Sequence, residues 1–376
     1  MFLAFSEMRR SKVRFGLLSG AVGLLVFLIL FQQALLTGLI DQFIGAIRNQ
    51  SADVLVYNAQ ARKNLEGSVI LADQLEAVAE VDGVATAQPW GEGTFTVRAG
   101  DTDQDAVVIG YVLGGPGAPT TLVEGRLPQT TGEAVASSRN AADGFDVGDT
   151  VEVLASQGGT STVFTVVGLA DEINYSVAPV LFTDFAGFEA AKRSVNPDAV
   201  AILPSVVAVA VDDGADAAAV AAAISAAVDG TEALTRQQAV DGSPGVSSVR
   251  QSFSVILLLF YLVVPLVTGL FFLIITFQKA SALTLLRAIG APVGPLVRSL
   301  LLQVVIVVVA GSLLATLLYW AAASAPNELG ISVEPLPIVA TASVVLVLAL
   351  VTSLAAVRRV LRIDPIAATT GAGVQV

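Results

Sequence analysis

Four stretches of this chain carry no Asp, Glu, Lys or Arg: Phe15–Phe31, Phe253–Phe277, Ser299–Ala325 and Leu336–Val357. Each approaches or exceeds the roughly 20 residues a helix needs to cross a hydrocarbon core. The first is short but extends through the neutral Gln32–Ile40. Beyond it, Leu35, Leu36, Leu39, Ile40, Phe43, Ile44 and Ile47 recur at helical spacing, so the span is predicted to continue outward as an amphipathic stalk.

From residue 49 to 252 the periods shorten. ADVLVYN (52–58) alternates, LADQLEAVAEVDG (71–83) is helical and closed by Gly83, and strands are predicted at Val84–Gln88, Gly93–Val97 and Ala106–Leu113. The same order returns later: the strand VVAVAVDD (206–213), a helix over 215–230 closed by Gly230, and the strand TEALTR (231–236). Two β-α-β halves of this kind predict a split, ferredoxin-like α+β sandwich. Between them, about 115–204, Gly and Asp punctuate short strands, which predict a small, mostly β insertion.

The fold class expected is therefore an α-helical membrane protein with four transmembrane helices plus an α+β extracellular domain. The domains are residues 1–48 (cytosolic N-terminus, first span and stalk), 49–252 (extracellular domain) and 253–376 (three further spans with a cytosolic segment at 278–298 and a cytosolic tail). Composition agrees: 54% of the 376 residues are hydrophobic and 14% charged, too little polar surface for a soluble chain. A cleaved signal peptide is the rival reading of the N-terminus. The apolar run is longer than an h-region and is followed by Gln32-Gln33 and a helical pattern rather than a small-x-small site, so an uncleaved anchor is expected.

Charge orients the spans. The net −12 conceals 27 acids against 9 bases between Asn49 and Ser252. The N-terminus, the segment 279–298 and the tail beyond Val357 together hold Arg9, Arg10, Lys12, Arg14, Lys279, Arg287, Arg298, Arg358, Arg359 and Arg362 against only Glu7 and Asp364. Bases gather at the cytoplasmic ends of spans, and all ten fall on one side if both termini are cytoplasmic. The chain is then a multi-pass plasma-membrane protein with its acidic domain outside. Basic patches at the inner surface also suit anionic lipid.

With neither Cys nor His, thiol nucleophiles, disulfides, His-based general bases and Cys/His zinc sites are excluded. No G-x-x-x-x-G-K-[ST] occurs, so the chain cradles no nucleotide phosphate of its own, and Asp241-Gly242-Ser243-Pro244-Gly245 is a turn rather than a nucleophile elbow. Asp101, Asp103 and Asp105 alternate as calcium ligands do but lack the Gly and final Glu of such a loop, so a solvated acidic loop is expected. No catalytic residue, metal site, intrinsic cofactor or nucleic-acid partner is expected.

Polar residues inside or beside the spans are the candidate binding groups: Gln32, Gln33, Thr37 and Asp41 on the first helix and Tyr261 in the second span, with Pro265 and Gly269 able to bend its wall. Two accounts stay open for them, helix–helix hydrogen bonding and a substrate-facing surface. Arg48, Arg236 and Arg250 flank the outer mouth of spans one and two, where they suit carboxylates or phosphates of an amphiphile or pair with local acids. In KASALTLLRAIG, Leu283, Leu286 and Ile289 share one helical face beside Lys279 and Arg287, ended by Gly290 and Pro292. With Arg298 this segment is expected to lie along the inner surface and present a docking edge.

LLRAIGAPVGPLVRSLLLQ resembles the segment between the second and third spans of FtsX/macrolide-exporter-type ABC transporter permeases. The resemblance covers essentially the whole chain, including EGRLPQTTGEAVASSRNAADGFDVGDTVEV (124–153), FTVVGLADE and the tail VRRVLRIDPIAA. It implies that Lys279, Leu283, Leu286, Arg287, Ile289 and Arg298 form a coupling element seated in a separate ATPase. It also implies a permease homodimer with two ATPase copies, which bind the ATP. Within the family, the opening MFLAFSEMRRSKVRFGLLSGAVGLLVFLILFQQALLTGLIDQF and SADVLVYNAQARKNLEGS look most like haem-exporting permeases of Gram-positive bacteria and related glycolipid exporters. The implied substrate is haem, entering between spans one and two at Gln32, Gln33, Asp41, Arg48, Arg250 and Tyr261. Without His, and with Met1 and Met8 the sole methionines, haem would rely on Tyr, Glu or Asp oxygens, or on weak ligands. The alternatives are an exporter of lipid, lipopeptide or antimicrobial peptide, and a non-transporting mechanotransmitter acting on a cell-wall hydrolase or sensor kinase.

Overall fold

A computed structural model describes residues 12–278, 293–324 and 335–361. Four of its helices are long and apolar enough to cross a membrane: α1 (Lys12–Arg48), and, within longer helices, Val246–Ile274, Val297–Ala323 and Pro335–Ala355. The chain divides into two compact units, one of residues 1–37 with 251–376 and the other Gly38–Arg250. The predicted stalk is realised as helix up to Arg48.

The second unit opens with β1 (Val54–Asn58), α2 (Ala72–Ala79), β2 (Val84–Ala99) and β3 (Thr102–Tyr111). There follow β4 (Leu122–Gly125), β5 (Glu133–Ser137), β6 (Thr150–Val153), β7 (Thr162–Ala170), β8 (Val180–Asp184) and α3 (Phe185–Val195). It closes with β9 (Val206–Val211), α4 (Ala217–Ala227), β10 (Thr231–Thr235) and α5 (Arg236–Gly242). The strands run β10-β1-β9-β2-β3-β8-β5-β7-β4, with β6 bridging β2 and β7. The first four, β10-β1-β9-β2, are antiparallel throughout and hold the two predicted β-α-β halves in interleaved, ferredoxin-like order. Alternation decides their faces: Val54, Val56, Val207 and Val209 point toward the helices, where they pack with Val78, Val220 and Ile224.

The two strands predicted over 84–97 are one. Residues 84–90 of β2 pair with β9, and 91–99 pair with β3, so one continuous strand serves two parts of the sheet. Pro89 is tolerated because that half of β2 has a ladder on one side only. The insertion is also less purely β than its punctuation predicts, since α3 lies across it. Asp184 caps α3 by accepting from the Gly187 N–H at 3.1 Å. Phe188 of α3 is fully buried over Gly91 and Gly110, which oppose each other in the β2–β3 register, and a Cβ on either glycine would collide with its side chain.

In the other unit, the long helices are α6 (Val246–Gln278), α7 (Val293–Ala323) and α8 (Pro335–Leu361), with α1 against them. Phe15, Leu18, Val22, Val26 and Ile29 form a helical stripe on α1, buried against Val304, Val307, Val308 and Ala315 of α7 and residues of α6 and α8. Hydrophobicity does not drive this contact in lipid, so close packing must. Gly23 of α1 meets Gly311 of α7, and a Cβ on Gly23 would lie 2.8 Å from the Gly311 carbonyl oxygen. Leu258, Leu259, Leu262, Leu266 and Leu270 of α6 are exposed, as a lipid-facing surface requires.

Candidate functional site

The polar residues of the spans converge. Gln32 is buried and donates from Nε2 to the Phe253 carbonyl at 2.9 Å. Its Oε1 has no hydrogen-bond partner among the described residues. Gln33 donates from Nε2 to the Tyr261 hydroxyl at 3.3 Å. Thr341 of α8, which the sequence reading passed over, donates to Gln33 Oε1 at 3.3 Å and lies 3.5 Å from the Tyr261 oxygen. Spans one, two and four are thus joined by three polar side chains.

Tyr261 also borders an open groove of about 580 Å³ between α6 and α8, lined by Pro265, Gly269, Leu348 and Thr352 together with Leu258, Leu262 and Leu266 of the exposed leucine surface. Pro265 has no N–H, so the Tyr261 carbonyl loses its usual helix donor beside that groove. The Thr352 hydroxyl is spent on its own helix, donating to Leu348 O at 2.9 Å. The lining of the groove is therefore apolar apart from Tyr261.

Asp41, Arg48 and Arg250 fall in the other unit. Two turns apart on α1, Asp41 and Arg48 form an ion pair, with Asp41 buried. Arg250 pairs with Asp241 at 2.7 Å, both half exposed. Hydrogen bonds from Gln237 and then Arg250 hold the Asp241 carboxyl below its ordinary range. Arg48 lies within electrostatic reach of Arg250, Asp241 and Glu172, so these groups form one charged cluster. Arg236 donates to the Gln50 carbonyl at 2.7 Å. Each of the three arginines thus has a partner within the chain. Of the coupling residues, Lys279, Leu283, Leu286, Arg287 and Ile289 lie outside the described residues, and Arg298 is exposed near the start of α7.

Two further features carried no sequence signal strong enough to find them. Residues 172–178 clasp the end of α1: Ala46 N–H donates to Asn174 O at 3.2 Å, Ser176 N–H to Phe43 O at 3.1 Å and Val177 N–H to Gln42 O at 2.9 Å. Glu172, Ser176 and Val177 take left-handed φ of 54°, 50° and 63° there, a conformation unusual for any residue with a Cβ and least favoured by β-branched valine. The second feature is Glu92 of β2, 4% exposed, whose Oε1 has no partner among the described residues. Burial pushes its carboxyl up to about 7, against the pull of Lys192 and with a smaller push from Glu66. The Asp103 of the predicted acidic loop forms a two-pronged cross-strand pair with Arg98, at 2.8 and 3.0 Å.

Residues 17–227 match the MacB-like periplasmic core domain and residues 254–365 the FtsX-like permease C-terminal domain. A Staphylococcus haemolyticus protein named as a hemin transport system permease is 23% identical over 373 residues, covering 99% of each chain. An uncharacterised ABC transporter permease of Mycobacterium tuberculosis is 26% identical over 382 residues, again covering 99% of each. Among solved structures, the periplasmic region of MacB from Actinobacillus actinomycetemcomitans aligns over 55% of this chain and 95% of its own, at 11% identity and TM-score 0.35. The two matched domains together span nearly all of the described chain, and the protein belongs to the FtsX/MacB-type family of ABC transporter permeases.

Proposed function

We propose that this chain is the membrane subunit of a haem exporter, acting as a homodimer with two copies of a separate ATPase. The observation that carries the reading is the placement of Tyr261. A phenol oxygen suited to ferric haem stands between the span-one glutamine Gln33 and an apolar groove of about 580 Å³. In a chain without His, and with methionine only at positions 1 and 8, oxygen is the donor the spans offer. The full-length similarity to a protein named for hemin transport supports the same substrate.

In this reading both termini are cytoplasmic and the acidic domain is extracellular. Haem enters from the outer leaflet between spans one and two, and ATP-driven closure of the stalks and outer domains expels it. Such coupling requires the two conformations to differ in affinity for haem. The segment from Lys279 to Arg298 seats in the ATPase. A second reading, export of a lipid or lipopeptide, is favoured by the nearly all-apolar lining of the groove.

Cells carrying the permease and its ATPase test this directly. Survival at toxic haem, with lower cell-associated haem than in cells lacking the pair, is the expected result. Unchanged haem sensitivity together with altered wall cleavage would instead identify a mechanotransmitter.

A further inference from the structure

Gln33, Tyr261 and Thr341 close a ring in which each group donates one hydrogen bond and accepts one. The amide N–H of Gln33 goes to the Tyr261 oxygen at 3.3 Å, and the Thr341 hydroxyl goes to Gln33 Oε1 at 3.3 Å. The third contact, 3.5 Å between the two hydroxyls, suits either group as donor. Donor accounting supplies the direction: the Thr341 proton is already committed to Gln33, so the phenol must donate and threonine accept. The ring runs in one sense around three helices, and Thr341, 1% exposed, closes it.

We propose that Thr341 is a positioning residue for the span-one and span-two site. By accepting the phenol proton and returning its own to Gln33, it fixes the orientation of both groups. Tyr261 donates to Thr341 in this conformation, and among the described residues Gln33 retains one uncommitted N–H for the substrate. A carboxylate-bearing amphiphile is the chemistry that one spare amide N–H, held by the tyrosine that borders an apolar groove, would recognise. The contacts are long for hydroxyl hydrogen bonds, so a small separation of the helices opens the ring and frees the phenol oxygen. This inference rests on the haem reading for its substrate, while the ring itself does not.

The test uses the full-length chain in lipid nanodiscs, with Thr341→Val, Thr341→Ser, Tyr261→Phe and the double variant Tyr261→Phe/Thr341→Val. Thermal unfolding reads the ring, and hemin titration reads positioning through affinity and the phenolate-to-iron charge-transfer band. The double variant should lose less than the sum of the two single variants, because the Tyr261–Thr341 contact is removed in both, and Thr341→Ser should match the unsubstituted protein. Thr341→Val should weaken hemin binding roughly three- to ten-fold, the worth of one interhelical hydrogen bond in a membrane, and change the charge-transfer band, with both restored in Thr341→Ser. Additive unfolding shifts would overturn the ring. Hemin binding unchanged in Thr341→Val but altered in Tyr261→Phe would overturn positioning while leaving the haem reading intact. No hemin binding by the unsubstituted protein, with non-additive unfolding, would remove the haem reading and the positioning role together, leaving the ring a helix joint.

Discussion

Gly45 of α1 lies against the backbone of Glu172, so close that a Cβ at Gly45 would stand well inside 3.0 Å of the Glu172 carbonyl. The absence of a side chain lets residues 172–178 hydrogen-bond into the helix ladder at Gln42, Phe43 and Ala46. Gly45→Ala must therefore push the loop off the helix. It should destabilise the full-length protein by about 1–3 kcal/mol, as overpacking does, read as a lowered unfolding midpoint in nanodiscs. An unchanged midpoint would mean the clasp does not hold α1.

Val177 pays for its place in that clasp with a left-handed backbone, φ 63°. Val177→Gly keeps the N–H that bonds Gln42 and removes roughly 1–2 kcal/mol of backbone strain. The variant should be at least as stable as the parent, although glycine ordinarily weakens a folded chain. A lowered midpoint would place the strain elsewhere.

Glu92 makes the outer domain respond to pH. Its carboxyl titrates near 4.5 when unfolded and is pushed up to about 7 by burial, so the folded state holds a proton that the unfolded state releases between those values. Stability therefore falls as pH rises from about 4.5 to about 7, by up to roughly 3 kcal/mol, and is independent of this group below that window. Glu92→Gln should match the parent at pH 4 and exceed its unfolding midpoint at pH 8. Parallel pH profiles for the two proteins would contradict the assignment.

The Gly23–Gly311 contact makes a sharp contrast with Gly16, around which a Cβ would meet nothing within 4 Å. Gly23→Val should separate α1 from α7 and lose correctly folded protein in membranes, measured by monodisperse yield after extraction. Gly16→Ala on the same helix should have no effect on that yield.

Much of the fold was legible because burial in it follows simple periods. Uncharged runs marked the spans, and the period-two valines of VLV (54–56) and VVAVAV (206–211) marked the central strands. The repeat of strand, helix, strand predicted a split, ferredoxin-like arrangement, which the β10-β1-β9-β2 order realises. Helix α3 was not legible, since FAGFEAAKRSV follows directly on a strand and its seat is made by Gly91 and Gly110, far away in sequence. Intramembrane polarity pointed to Gln33 and Tyr261, and the same argument applied to Thr341 would have reached the third member. What it could not supply is that residues 33, 261 and 341 meet, because each period describes one helix and not its neighbours. Glu92 had no signal at all: an acid alternating with glycines reads as exposed.

The most direct test of the central claim is a hemin titration of the unsubstituted protein in lipid nanodiscs, followed by visible absorbance. The account predicts a saturable shift of the Soret band at one hemin per permease dimer, lost or altered in Tyr261→Phe and Gln33→Ala. Spectra indistinguishable from those of hemin in empty nanodiscs would contradict it.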